Sequence, residues 1–150
     1  MLTARLELIA PDPHGYKPDV ALTGAITGAE KSKTLNFTRT EGNVPSSPVI
    51  TFRGTVTGSQ TVTILLRDPA HPVAQRVVVR GPVNAGEELV LDFPNMEFYT
   101  RDDNGTKTMN KADMFTNYSF IESGLGANTV TVSTTGSMVS VDVDIEGKRI

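Results

Sequence analysis

Two histidines, His14 and His71, are the natural places to look for acid–base chemistry in this 150-residue chain. A serine nucleophile needs an oriented imidazole beside it. Both histidines instead fall in Pro-containing stretches that read as loops, the second being Asp68-Pro69-Ala70-His71-Pro72, and no Gly-x-Ser-x-Gly elbow is present. Asp142, Asp144 and Glu146 recur at every second position. Paired carboxylates can act as acid and base. On a strand, however, that spacing makes a solvated outer face or a charged edge that blocks stray pairing. Asp102, Asp103 and Asn104 offer oxygens to calcium but lack the ligand spacing and terminal Glu of a calcium loop, so a hairpin turn is the better reading. Zinc would need three or four His, Cys or carboxylate ligands; the chain has no Cys and no such spacing. Gly124-Leu125-Gly126 lacks the third Gly and the following helix of a dinucleotide fingerprint. No catalytic residue, metal ligand or cofactor is therefore expected, and the chain is read as a non-enzyme.

Binding chemistry is the remaining option. Sugar sites usually stack a ring on an aromatic platform; this chain has no Trp, and aromatics make up 6% of it. Tyr99, Tyr118 and Phe120 are the candidate ligand or partner contacts, with Phe98 and Tyr99 expected on opposite faces of one strand. The net charge is -3, and the basic residues are scattered, Lys31, Lys33 and Arg39 being the nearest to a cluster. They read as a solvated loop and strand face, which argues against nucleic acid as a partner. No apolar run approaches a membrane-spanning length, and the N-terminus does not read as a secretory signal. The Asn-x-Ser/Thr triplets at Asn36, Asn104 and Asn117 are chance occurrences in a chain rich in Thr and Ser.

The elements that would position these residues follow a period of two. Ala4, Leu6, Leu8 and Ala10, then Val62, Ile64 and Leu66, then Val139, Val141, Val143 and Ile145 recur at alternate positions, as in half-buried antiparallel strands. Further strands are expected over residues 35–39, 49–56, 75–80, 88–93, 97–101 and 129–134, all rich in Thr, Val or Ile. Pro48 suits the first residue of its strand. Two glycine turns feed strands directly: Ala85-Gly86-Glu87, and Gly124-Leu125-Gly126-Ala127-Asn128. Asn104-Gly105 suits a hairpin turn with positive φ twice. Gly86, Asn104, Gly105, Gly126 and Asn128 are thus structural turn positions. One short helix is expected, capped by Asn110 and running through Lys111 to Phe115. Many short strands with frequent turns make an all-β antiparallel sandwich. The segment Pro11-Asp12-Pro13-His14-Gly15-Tyr16-Lys17-Pro18 divides the chain, giving an N-terminal strand and Pro-rich linker over residues 1–19 and a sandwich over 20–150.

Four motifs occur in an order that resembles the C-terminal part of siphophage distal tail proteins. A strand ends in Asp12-Pro13 with Tyr16 close behind. Gly42-Asn43 leads to Pro48-Val49-Ile50-Thr51-Phe52-Arg53-Gly54. Gly86-Glu87 precedes a strand ending in Asp92, and Gly126-Ala127-Asn128 precedes the closing strands. The resemblance implies a galectin-like, jelly-roll β-sandwich on a structural tail-tip (distal tail or baseplate) module. Such a module sits in the virion, is made in the host cytoplasm, and scaffolds or docks adsorption components. The implied partners are the tail tube, hub and receptor-binding proteins. The alternative is host adhesion through a cell-wall glycan. The family's ring-forming N-terminal domain has no counterpart here, so a homohexamer is expected only with that upstream domain. The family often carries an aromatic, commonly Trp, before the Gly-x-Asn turn, where this chain has Tyr118-Ser119-Phe120.

Overall fold

Alternation of β-branched and polar residues gives every long strand one face that gains from burial and one that does not. Two such sheets stacked face to face satisfy both. A computed structural model of the chain describes residues 15–25, 30–39, 46–117 and 121–149. The described strands run β1 Gly15–Ala25, β2 Ser32–Arg39, β3 Pro48–Thr55, β4 Thr61–Asp68, β5 His71–Arg80, β6 Glu88–Asp92, β7 Glu97–Arg101, β8 Lys107–Asn110, β9 Phe115–Asn117, β10 Gly126–Thr134 and β11 Ser137–Arg149. They form a six-stranded sheet, β1-β11-β3-β6-β7-β8, and a five-stranded sheet, β2-β10-β4-β5-β9. Every pairing is antiparallel. The all-β sandwich read from the sequence is present.

The core lies between the sheets. Ile50, Phe52 and Leu91 from the first sheet meet Ile64, Leu66 and Val77 from the second, each fully buried. Phe98 closes one flank edge-on, with ring centroids 5.2 Å from Phe93 and 4.7 Å from Phe115. The chain crosses between sheets on that flank through a single 3-10 turn, Ala112–Met114. As expected, Asn110 caps it, Oδ1 accepting the Ala112 amide at 2.8 Å. The helix is shorter than the sequence suggested, because Phe115 already belongs to β9.

Several boundaries differ from the sequence reading. The strand expected over residues 2–10 lies outside the described residues. Residues 15–19, placed in a linker by their prolines, belong to β1, and the register against β11 shifts between Lys17 and Val20, beside Pro18. The segment around His71 is not a loop. Only Pro69 and Ala70 turn, and His71 opens β5 opposite Asp68. In the β7–β8 hairpin only Gly105 takes positive φ, at 81°; Asn104 does not. Asp102 Oδ1 instead accepts the amides of Asn104 and Thr106, both at 2.9 Å, which closes a longer loop than an Asn-Gly two-residue turn. Among the described residues, no helix is long and apolar enough to cross a membrane.

Lys111, at the crossover, is fully buried, and its Nζ has no hydrogen-bond partner. Burial pushes its amine below the ordinary lysine range, against a smaller opposing pull from Glu87. A lone buried ammonium is a net cost. Lys111→Met is therefore expected to stabilise the fold by about 1–3 kcal/mol at neutral pH. In the parent, the unfolded chain holds that proton more tightly than the folded one. Stability should thus climb with pH up to the ordinary lysine pKa, about 10.4, and the Met variant should lose that climb. Chemical denaturation at pH 7 and pH 10 checks both; a less stable Met variant would mean that the amine has a bonded role.

Candidate functional site

Tyr99 is the sequence-selected aromatic that the structure describes; Tyr118 and Phe120 lie outside the described residues. Phe98 points into the core and Tyr99 outward, as strand alternation requires. Tyr99 lines a shallow groove of about 340 Å³ with Met96, Glu97, Lys107, Met109 and Asn110. Its ring is already occupied: Lys107 Nζ lies 4.4 Å from the ring centroid and 3.3 Å from Glu97 Oε2. An ammonium on that ring competes with any sugar for it. Met96 borders the groove with a half-exposed side chain and a backbone φ of 55°. A left-handed conformation costs a non-glycine residue roughly 1–2 kcal/mol. Met96→Gly is expected to raise stability by about 0.5–1 kcal/mol, after allowing for the looser unfolded chain. A lower denaturation midpoint would instead show that the thioether packing outweighs the strain.

The outer face of the six-stranded sheet carries a charge ladder. Arg53 on β3 donates from Nε to Glu88 Oε1 at 2.9 Å, and from Nη1 to Asp142 Oδ2 at 2.6 Å. Arg101 on β7 donates from Nε to the other Glu88 oxygen at 2.9 Å. The register sets Arg53 opposite Glu88 and Glu88 opposite Arg101, so the ladder crosses β11, β3, β6 and β7. The hydrogen bond to Asp142 is the main reason the Arg53 guanidinium is held above its ordinary range. The edge reading of Asp142 and Asp144 is corrected here: β11 lies between β1 and β3, inside its sheet. Asp142 is a partner in the ladder, and Glu146's side chain lies outside the described residues.

The Gly-x-Asn turn is half of a buried polar knot at the end of the sandwich where β1 enters. Asn128 is buried and donates from Nδ2 to the carbonyls of Gly124 at 2.9 Å and Gly126 at 3.0 Å. Its Oδ1 accepts Ser123 Oγ at 3.0 Å. Gly126 takes φ 95°, and a Cβ there would stand 2.8 Å from the Pro69 ring. Asp68 binds the knot to the β4–β5 turn, Oδ2 accepting the Gly124 amide at 2.8 Å and Oδ1 accepting His71 N at 2.7 Å and Nδ1 at 2.9 Å. Burial would raise the Asp68 carboxyl, but the Gly124 amide and then His71 outweigh it and hold it below the ordinary range. Arg39 is buried in the same knot and donates from Nη1 to the Ser123 carbonyl. Desolvation lowers its guanidinium, against attraction from Asp68. The sequence reading of Arg39 as a solvated cation is thus corrected.

The Asp68–His71 pair has the base-and-orienter geometry of a triad, but Ser123 Oγ donates to Asn128, and no hydroxyl bonds the ring among the described residues. The knot therefore ties loops together. Among the described residues, no group of three or more His or carboxylate side chains is placed to hold a metal ion. Gly86, at φ 83°, closes the Asn84–Glu87 turn before β6, as its sequence context suggested. The cations that share one face are ones the sequence separates: Arg67, Arg76 and Arg80 on β4 and β5.

No family model matches the chain, and no curated protein matches it. Among solved structures it is similar to the crystal structure of SPP1 Dit (gp 19.1), described as a paradigm of the hub adsorption apparatus in phages infecting Gram-positive bacteria, with a TM-score of 0.56 and 18% sequence identity. The match covers 93% of this chain and 50% of that one, so this chain spans about half the length of the SPP1 protein. The likeness is one of fold.

Proposed function

We propose that the chain is a structural module of a phage tail tip that scaffolds or docks adsorption components, without enzymatic activity of its own. The observation that carries this reading is the sandwich shared with SPP1 Dit over 93% of the chain. The ordered motifs lend it support, because they have physical roles in this fold: Gly86 and Gly126 take the positive φ their turns need, and Asn128 locks the second turn. On this reading the sandwich is a galectin-like domain, its partners are tail tube, hub and receptor-binding proteins, and a hexameric ring needs an upstream domain. The protein is then made in the host cytoplasm and ends in the virion. Direct glycan adhesion has less support, since Lys107 already covers the described candidate platform, Tyr99.

Gold-labelled antibody raised against the sandwich tests the reading on purified particles. Label confined to the distal end of the tail supports it. Particles that lack the chain, or carry it on the head or along the tube, contradict it.

A further inference from the structure

We infer that the outer face of the five-stranded sheet binds a polyol-phosphate polymer, with Arg67, Arg76 and Arg80 as its anion contacts. This inference stands on the chemistry of that face and not on the tail-tip reading.

The β4–β5 hairpin brings the three arginines together. Arg76 lies opposite Leu65 and Arg80 opposite Thr61, while Arg67 is two residues beyond Leu65 and opposite Thr129 on β10. Their neighbours Leu66, Val77 and Val79 point into the core, so the arginines point outward. Arg76 and Arg80 are spaced along one strand by roughly 13 Å. All three are exposed, and none has a hydrogen bond or ion pair. Arg53 and Arg101, on the opposite sheet, are both tied to Glu88. The chain as a whole has a net charge of -3, yet the outward positions of β2, β10, β4 and β5 include no acidic residue. The guanidiniums therefore stand without a counter-charge, and their planar forks suit phosphate oxygens.

The rest of the face selects among anions. Its other outward positions are mostly hydroxyls and amides, partly bonded to one another: Thr34 and Thr131 meet at 3.1 Å, and Thr129 donates to Asn36 Oδ1 at 2.9 Å. No exposed aromatic lies on it to stack a nucleic-acid base. The exposed large apolar residues, such as Val139 and Met96, lie elsewhere, so the face lacks the apolar centre of a protein interface. A flexible chain of phosphodiesters joined by hydroxylated spacers matches what is left: spaced charges for the arginines and hydroxyls for the Thr and Ser rows. Repetition along such a polymer turns weak single contacts into useful avidity.

The test uses glycerol-phosphate polymer on a sensor surface, with the whole chain as analyte at low and physiological salt. Saturable binding that weakens with salt is expected. The triple variant Arg67→Gln, Arg76→Gln, Arg80→Gln should bind about tenfold more weakly or worse, with an unchanged melting temperature because all three residues are exposed. The single variant Arg76→Gln should lose roughly threefold, which keeps the proposal testable if the triple variant folds poorly. Lys31→Gln with Lys107→Gln, removing two cations elsewhere, should stay within about twofold. Absence of saturable binding at low salt would overturn the proposal. So would full binding by the triple variant, or equal affinity for polyphosphate or single-stranded DNA of matched charge.

Discussion

Asp68→Asn is expected to cost the sandwich about 3–5 kcal/mol at pH 7, the range for removing one charge from a buried, hydrogen-bonded set. Asp68 is the one group that joins the β4–β5 turn to the segment before β10, through the His71 and Gly124 amides. An amide in its place can accept on one oxygen only, and its NH2 would face a donor. Arg39 would also remain buried without the carboxylate that attracts it. The parent carries a pH signature of the same interaction. Its Asp68 carboxyl is held below the ordinary range when folded, so the unfolded chain takes up the proton first as pH falls. The stabilisation is complete above about pH 4, the ordinary carboxylate pKa, and drains away as pH drops through the folded value. Urea titrations from pH 7 down to pH 2.5 should show this acid-side loss in the parent and a flatter profile in the variant. Two parallel profiles would mean that the knot owes nothing to the charge.

Gly54→Ala is expected to be as damaging, at about 3 kcal/mol or more, for a purely steric reason. A Cβ on Gly54 would lie 2.1 Å from the Ser137 carbonyl oxygen and 2.8 Å from the Phe52 ring. Neither obstacle is a flexible chain end. One is backbone of β11 beside its register shift at Met138, and the other is a fully buried core ring. By contrast Gly58, with open space around it, should accept Ala with little change. The pair forms an internal control, read from denaturation midpoints. Equal stability of the two variants would mean that β3 and β11 can separate locally at little cost.

These positions show which parts of the molecule were legible in the sequence. Period-two alternation located β3, β4, β6, β7, β10 and β11, because their inner faces are Val, Ile, Leu or Phe. It missed β8, whose four residues Lys107, Thr108, Met109 and Asn110 are all exposed and so carry no burial pattern. It missed β1, where Pro18 and the glycines hide an edge strand that is paired on one side only. The glycine turns were legible because φ > 0 restricts residue choice at Gly86, Gly105 and Gly126. Asn128 was legible as a turn residue, although its task as a buried clamp on two carbonyls depends on tertiary contacts.

Charge was the least legible property. Arg39 and Lys111 look like surface cations and are buried, while the scattered Arg67, Arg76 and Arg80 share one face. Sequence distance says little about either outcome, since hairpin register and sheet crossover decide both. The aromatic candidates point the same way. Tyr99 faces outward as alternation predicts, but the neighbour that covers its ring, Lys107, arrives from the next strand.

The most direct test of the tail-tip assignment is a cryo-electron microscopy map of the particle tail tip at side-chain resolution. The account predicts density at the distal end that fits this two-sheet sandwich, with the Arg53–Glu88–Arg101 ladder and the Asp68 knot recognisable in it. A tail tip fully explained by other chains, with no such sandwich, would contradict it.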